Sequence, residues 1–261
     1  MVAAAQPQYP APTQTKGPLM IRQYVKDYQV VSPLQSFTPT PQGDSVSPKG
    51  MIFHILDDNT GPVEVLDIGF GTGTLAALIN GTEATSHWSV DGIDGWDVNC
   101  NNTTLLDKKL YRNLWHGLAQ ELPSERIASY RIICLLDVIE HLTVDTAKWL
   151  LRTLLTSMGD DARLFISTPL WFYPQDQIQE GDLEEHLIGV PASSMMALIP
   201  TMYAISNPLI GGFVLTKQSL DYIEFFHPTA DKTFSFERGL AVVRSVNMQY
   251  RPGVVFKVPT A

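Results

Sequence analysis

Apolar residues in this chain gather into short dense runs separated by longer stretches with helical spacing. Four runs stand out: "VEVLDI" (63–68), "WSVDGID" (88–94), "YRIICLLD" (130–137) and "ARLFIST" (162–168). Consecutive rather than alternating apolar positions predict strands covered on both faces, as in a parallel sheet. Between them, "LAALI" (75–79) fits a packed helix ended by Asn80 and Gly81. The stretch "TVDTAKWLLRTLLTSMGDD" puts Leu150, Leu151, Leu154 and Leu155 on one helical stripe, with Thr143 as N-cap and Gly159 at its end. A shorter helix begins near Ser47 with Pro48 in its first turn. Strands alternating with helices predict an α/β fold with a doubly wound, mostly parallel sheet. Near the end, "GLAVVRSVNMQYRPGVVFKVP" reads as two β-rich runs around an Arg-Pro-Gly turn, an antiparallel C-terminal hairpin at the sheet edge.

Two stretches depart from this pattern. Residues 1–19, rich in Pro, Gln, Ala and Thr, predict a disordered segment ahead of a single domain over 20–261. Residues 187–216 contain no charge, but Pro191, Pro200, Pro208 and Gly211-Gly212 break them up too often for a membrane span. An uncharged insert of this kind suits an acceptor-pocket lining, a lid over that pocket, or a homodimer interface. The formal net charge of -9 repels nucleic acid and anionic membranes, which favours a small-molecule or glycan partner. With only Cys100 and Cys134, and no secretory leader pattern, a reducing cytoplasmic setting is expected.

The first strand raises a chemical question, because "VLDIGFGTGTLAALI" spends three glycines where it turns into a helix. Glycine suits a tight turn that a ligand must approach closely. Asp67 closes the first strand before Gly69, Gly71 and Gly73, and Asp94 closes the second, so both carboxylates fall at the carboxyl edge of the sheet, where ligands bind. A carboxylate there can accept two hydrogen bonds from a ribose diol. Asp91 competes with Asp94 for that role.

In order along the chain, "VLDIGFGTGTLAALI", "VDGID", "HGLAQELP" and "LLDVIEHL" resemble the successive motifs of class I S-adenosylmethionine-dependent methyltransferases over residues 47–170. The resemblance implies a Rossmann-like sheet and S-adenosyl-L-methionine as cofactor. It implies that Gly69, Phe70 and Gly71 lie against the methionine and ribose portions, that Asp94 holds the ribose hydroxyls, that Asp67 supports the turn or reaches the ammonium through water, and that Gly73 and Asp137 belong to the same cofactor site. In "HGLAQ", Leu118 stands where relatives carry an acid, so adenine contacts are expected from backbone groups of Leu118 and Ala119, or from Gln120.

In "DVIEHL", Asp137 ends a strand and Glu140 and His141 follow at helical spacing. Two carboxylates and an imidazole can hold Mg²⁺ or Mn²⁺. Similar sets in ubiquinone-pathway O-methyltransferases and small-RNA 2′-O-methyltransferases resemble a metal site, the latter with a later histidine whose part His186 could play. The competing reading, taken as the expectation, is metal-free, with His141 or His186 as base. His54, His87, His116 and His227 carry no motif. Trp171, Phe172 and Tyr173, leaving the fourth strand, are candidates for the acceptor wall. The expected function is methyl transfer to an oxygen or nitrogen of a small-molecule or glycan acceptor; a non-catalytic cofactor-binding partner, an RNA 2′-O-methyltransferase with a metal site and a nucleotide-dependent oxidoreductase are the alternatives.

Overall fold

The computed structural model describes residues 29–33, 47–56, 61–206, 209–245 and 254–257; the expectation for residues 1–19 lies outside them. Strands in chain order are β1 (Gln29–Pro33), β2 (Glu64–Ile68), β3 (Ser89–Asp94), β4 (Asn113–His116), β5 (Ile132–Leu136), β6 (Arg163–Pro169), β7 (Met202–Ser206), β8 (Ile210–Leu215) and β9 (Val254–Lys257). Helices are α1 (Thr74–Asn80), α2 (Asp97–Cys100), α3 (Thr103–Asp107), α4 (Ser124–Ile127), α5 (Val144–Ser157), α6 (Ala192–Met196) and α7 (Lys232–Ser245). The strands form one sheet in the order β1-β9-β7-β8-β6-β5-β2-β3-β4. β6, β5, β2, β3 and β4 run parallel, and β8, β7, β9 and β1 are joined antiparallel.

Side chains alternate across the sheet with the period of two that a pleated strand imposes. Leu66 and Ile68 of β2, Ile133 and Leu135 of β5, and Leu164 and Ile166 of β6 face one core, together with Leu150, Leu151, Leu154 and Leu155 of α5. Val65, Cys134 and Phe165 face the other, with Ile79 of α1 and with Met51 and Ile52 of the 3₁₀ helix Lys49–His54. Two covered faces explain why the strands read as unbroken apolar runs. Each fully buried Leu of the α5 stripe contributes roughly 1.5–3 kcal/mol. Thr143 caps α5, its hydroxyl accepting from the Thr146 amide at 3.3 Å.

The structure changes two expectations for the C-terminal half. The uncharged residues 187–216 are no insert: they supply α6, β7 and β8, with β8 paired to β6 and β7 paired to β9. Burial of Met195, Leu198, Met202, Phe213 and Leu215 within the sheet and its cover accounts for the absence of charge. The antiparallel hairpin accordingly lies at β7–β8, while residues 239–245 are helical rather than β. Docking overrides their β-propensity, since Ser235 Oγ accepts from the Phe172 amide at 2.8 Å, Gly239 packs directly on Trp171, and the Trp171 and Phe236 rings stack at 5.7 Å.

Candidate active site

The parallel strands β5, β2, β3 and β4 end side by side, and their C-terminal loops build the site. Gly69, Gly71 and Gly73 all have left-handed backbones, with φ of 71°, 51° and 78°. Their faces differ. A methyl group on Gly69 would strike Val138 Cγ2, and one on Gly73 would lie 2.7 Å from Leu105 Cδ2, whereas one on Gly71 would meet nothing within 4 Å among the described residues. Gly71 therefore presents open space at the turn, and the other two admit close packing by their own protein. The Phe70 side chain is buried and packs on Tyr111, with ring centroids 5.3 Å apart, so only its backbone lines the turn.

Asp94 and the turn are one hydrogen-bonded unit. Asp94 Oδ2 accepts from the Gly71 amide at 2.9 Å and Asn99 Nδ2 at 3.2 Å, and Oδ1 accepts from the Trp96 amide at 2.8 Å. A carboxylate offers about four lone-pair positions, so among the described donors one remains untaken, on Oδ1. Asp91 is committed elsewhere: Arg112 Nε and Nη2, Asn113 Nδ2 and the Tyr130 hydroxyl all donate to it. Although its burial opposes ionisation, these donors hold its pKa below the ordinary value. Asp67 is buried and accepts from the Tyr111 hydroxyl at 2.7 Å. Burial pushes its pKa up to about 6, against the opposing pull of Tyr111 and Lys49.

After β4, the Leu118 amide donates to Glu121 Oε2 at 2.8 Å. Glu121 was absent from the sequence reading, though its place three residues after Leu118 is the spacing at which a glutamate reaches back over a turn. The Leu118 amide, one of the backbone groups expected at the adenine, is thus paired within its own turn. Ala119 opens the 3₁₀ turn Ala119–Glu121 and packs on the core.

After β5, the chain turns at Asp137 (φ 55°), whose Oδ1 accepts from Ser167 Oγ at 2.9 Å. The 3₁₀ turn Ile139–His141 then places Glu140 and His141 beside His186, and one potential ligand atom from each lies within 4.8 Å of the others. Asp137 is not part of that cluster, so the four-residue set of the sequence reading narrows to three. His141 Nδ1 donates to the Glu185 carbonyl at 3.1 Å and His186 Nδ1 to the Tyr173 carbonyl at 2.6 Å. A carbonyl can only accept, so each ring donates through Nδ1 and leaves Nε2 without a hydrogen-bond partner among the described residues. The rings meet edge to face at 4.7 Å. Burial, and then the neighbouring His141, push the His186 pKa down to about 4. Glu140 is buried, its Oε2 has no hydrogen-bond partner among the described residues, and burial followed by the charge of Asp137 raises its pKa well above the usual carboxylate value. A buried carboxylate oxygen without a partner among the described residues, close to two imidazoles, offers donor types that could hold a cation.

A family model described as a methyltransferase domain matches residues 35–194, more than half of the 261-residue chain. The chain belongs to this methyltransferase family. The resemblance to the class I S-adenosylmethionine-dependent enzymes, and with it S-adenosylmethionine as cofactor, is thus borne out. Among solved structures, the methyltransferase is similar to PKMT2 from Rickettsia typhi in complex with AdoHcy (21% identity, 42% of this chain and 21% of that one, TM-score 0.35). It is also similar to YcgJ from Bacillus subtilis (14% identity, 80% and 93%, TM-score 0.45) and to the methyltransferase domain of bacterial CtHen1-CN (14% identity, 64% and 96%, TM-score 0.46). The methyltransferase spans about a fifth of the PKMT2 chain. No curated protein matches it.

The turn fits the cofactor: a side chain at Gly71 would fill the open space that a ligand needs, and Asp94 keeps one lone pair for a ribose hydroxyl. Both ribose hydroxyls on Asp94 would require Asn99 to yield. Of the three aromatics after β6, Trp171 and Phe172 are buried in the α7 contact and only Tyr173, 47% exposed, faces outward. Its ring lies 6.2 Å from that of His186. The acceptor wall expected from three rings is reduced to one because α7 covers the other two. No described helix of the methyltransferase is long and apolar enough to cross a membrane.

Proposed function

We propose that the chain transfers the methyl group of S-adenosylmethionine to a hydroxyl oxygen of a small-molecule or glycan acceptor, beside a divalent cation held by Glu140, His141 and His186. The observation that carries this reading is the convergence of those three residues next to the glycine turn. Val138, two residues before Glu140, packs on Gly69, which ties the cluster to the cofactor turn across the neighbouring strands β2 and β5.

The residues divide the work. Gly71 leaves room for the cofactor and Asp94 anchors the turn while offering Oδ1 to the ribose. Methyl transfer is an in-line displacement, so positioning and exclusion of water supply most of the acceleration. A hydroxyl has a pKa far above neutrality, and a divalent cation supplies positive charge that lowers it. An amine acceptor needs no such help. Two imidazoles and one carboxylate suit Mn²⁺ better than Mg²⁺, which prefers oxygen donors. With both Nε2 atoms as ligands, neither histidine acts as base in this reading, which departs from the metal-free expectation; the hydroxyl proton passes to solvent as the C–O bond forms and the sulfonium C–S bond breaks, releasing S-adenosylhomocysteine. The net charge of -9 favours an uncharged acceptor over a nucleic acid.

The test is transfer of labelled methyl from S-adenosylmethionine to panels of alcohols, glycans and amines, after chelation and again with Mn²⁺. Transfer to hydroxyls that chelation abolishes and Mn²⁺ restores supports the reading. Transfer to amines at a rate indifferent to chelation refutes it.

A further inference from the structure

The segment between β6 and α6 does more than deliver His186. Residues 175–186 close on themselves: the His186 amide donates to the Gln175 carbonyl at 3.0 Å, and Gln175 Nε2 donates to the Glu184 carbonyl at 2.9 Å. The far end is organised around one buried carboxylate. Asp182 Oδ2 accepts from the amides of Ile178 and Gln179 at 2.8 and 2.6 Å, and Oδ1 accepts from the Glu184 amide at 3.2 Å. The loop's base meets the cation cluster, where the Glu185 carbonyl orients His141 and the Glu140 carbonyl accepts from the amides of Leu187 and Ile188.

Its other end reaches across the sheet edge. A methyl group on Gly95, the residue after Asp94, would lie 2.7 Å from Leu183 Cδ1 and 2.9 Å from Leu118 Cδ2. The loop thus leaves β6, meets the turn after β5 at His141, and touches the residue after β3. Leu183 and Leu118 nevertheless remain 51% and 46% exposed, and Ile178 is 70% exposed. Aliphatic side chains held together beside the ribose acid, with about half their surface unburied, suit the flat apolar faces of a purine.

We propose that residues 175–186 form a clasp in which Leu183 covers the adenosine end of the cofactor while His186 holds the cation, with Asp182 as the positioning residue that keeps the two in register. The inference rests on the function proposed above and adds a property to it: cofactor and cation bind cooperatively. Because one closed loop carries a contact to each ligand, ordering it for one ligand lowers the cost of binding the other, and the coupling is reciprocal.

The experiment is calorimetric titration of the full chain with S-adenosylhomocysteine, with Mn²⁺ absent and saturating, and Mn²⁺ titration by electron paramagnetic resonance with and without S-adenosylhomocysteine. The wild type is expected to bind S-adenosylhomocysteine at least about fivefold more tightly with Mn²⁺, and Mn²⁺ more tightly by the same factor in the converse titration. Leu183→Ala should weaken S-adenosylhomocysteine while leaving the Mn²⁺ affinity of the ligand-free protein unchanged. Asp182→Ala should bring the coupling factor to about one, and Asp182→Asn, which keeps an oxygen for the Ile178 and Gln179 amides, should fall between. A merely structural Asp182 would weaken binding without changing the ratio, and that result overturns its assignment. Tight binding of both ligands with a wild-type ratio of one overturns the clasp and leaves the proposed function standing. Failure of the wild type to bind either ligand overturns both.

Discussion

Replacing Asp94 by Ala should damage both stability and cofactor affinity, because this carboxylate is at once the proposed ribose ligand and the tie between β3 and the glycine turn. The change strands the amides of Gly71 and Trp96 and frees Asn99. An unsatisfied buried donor costs about 1–3 kcal/mol; the site is only partly buried, so the lower end applies and the loss comes to about 2–4 kcal/mol. For a domain of this size that corresponds to a melting point lower by roughly 5–15 °C. Losing a charge-assisted contact to ribose, worth about 1.5–3 kcal/mol, should weaken S-adenosylhomocysteine by about tenfold or more. Calorimetry for binding and a thermal melt for stability are the assays. Asp91→Asn is the discriminating control: it breaks the Arg112 and Tyr130 contacts, lowers the melting point, and leaves S-adenosylhomocysteine affinity unchanged. Equal affinity of wild type and Asp94→Ala, or a loss of affinity in Asp91→Asn as large as in Asp94→Ala, would refute the reasoning.

Gly71→Val should abolish S-adenosylhomocysteine binding, since a β-branched residue resists a φ of 51° and its side chain fills the one open face of the turn; calorimetric binding at wild-type strength would contradict this. Asp67 has a folded pKa of about 6 against an ordinary 3.8, so its ionised form opposes folding above pH 6 and the penalty is relieved as pH falls through 6 toward 3.8. The shift corresponds to about 3 kcal/mol, so urea unfolding should show Asp67→Asn gaining stability relative to wild type between pH 5 and pH 7.5, and a flat difference would count against the burial argument. Glu140→Gln should lower Mn²⁺ affinity by about tenfold to a hundredfold while improving or sparing thermal stability, because it removes a buried ionisable group; Mn²⁺ binding unchanged in electron paramagnetic resonance would remove Glu140 from the cation site.

The parallel half of the fold was legible because its signals are local. Val65, Ile68, Ile133 and Phe165 are apolar on both faces of their strands, and Thr143 announces α5 one residue before it begins. The antiparallel half was not, because identity there is set by tertiary contacts. Residues 239–245 favour β by composition, yet Gly239 and Ser235 lock them as helix against Trp171 and Phe172. The absence of charge in 187–216 signalled burial correctly, but nothing in the composition distinguishes a buried pair of strands from an apolar lid. β4, short and only half-covered, has too weak a pattern to find.

The same division runs through the site. Gly69, Gly71, Gly73 and Asp94 lie within one strand–turn–helix and its neighbour, so the sequence alone brings them together. His141 and His186 are 45 positions apart, and only the loop that closes on Gln175 and Asp182 brings the second ring to 4.7 Å from the first. Residue types suggested a cation or a base, and which ring nitrogen can serve as either depends on the partner of the other nitrogen. The Glu185 and Tyr173 carbonyls accept from both Nδ1 atoms and so leave Nε2 for that part, and a backbone carbonyl has no residue type to betray it. Glu121 shows the converse case: its spacing from Leu118 was visible, but only the folded turn reveals that its carboxylate has taken the amide a ligand was expected to use. Groups that specify chemistry through backbone partners are invisible to motif reading, and in this chain they orient both rings of the Glu140, His141 and His186 cluster.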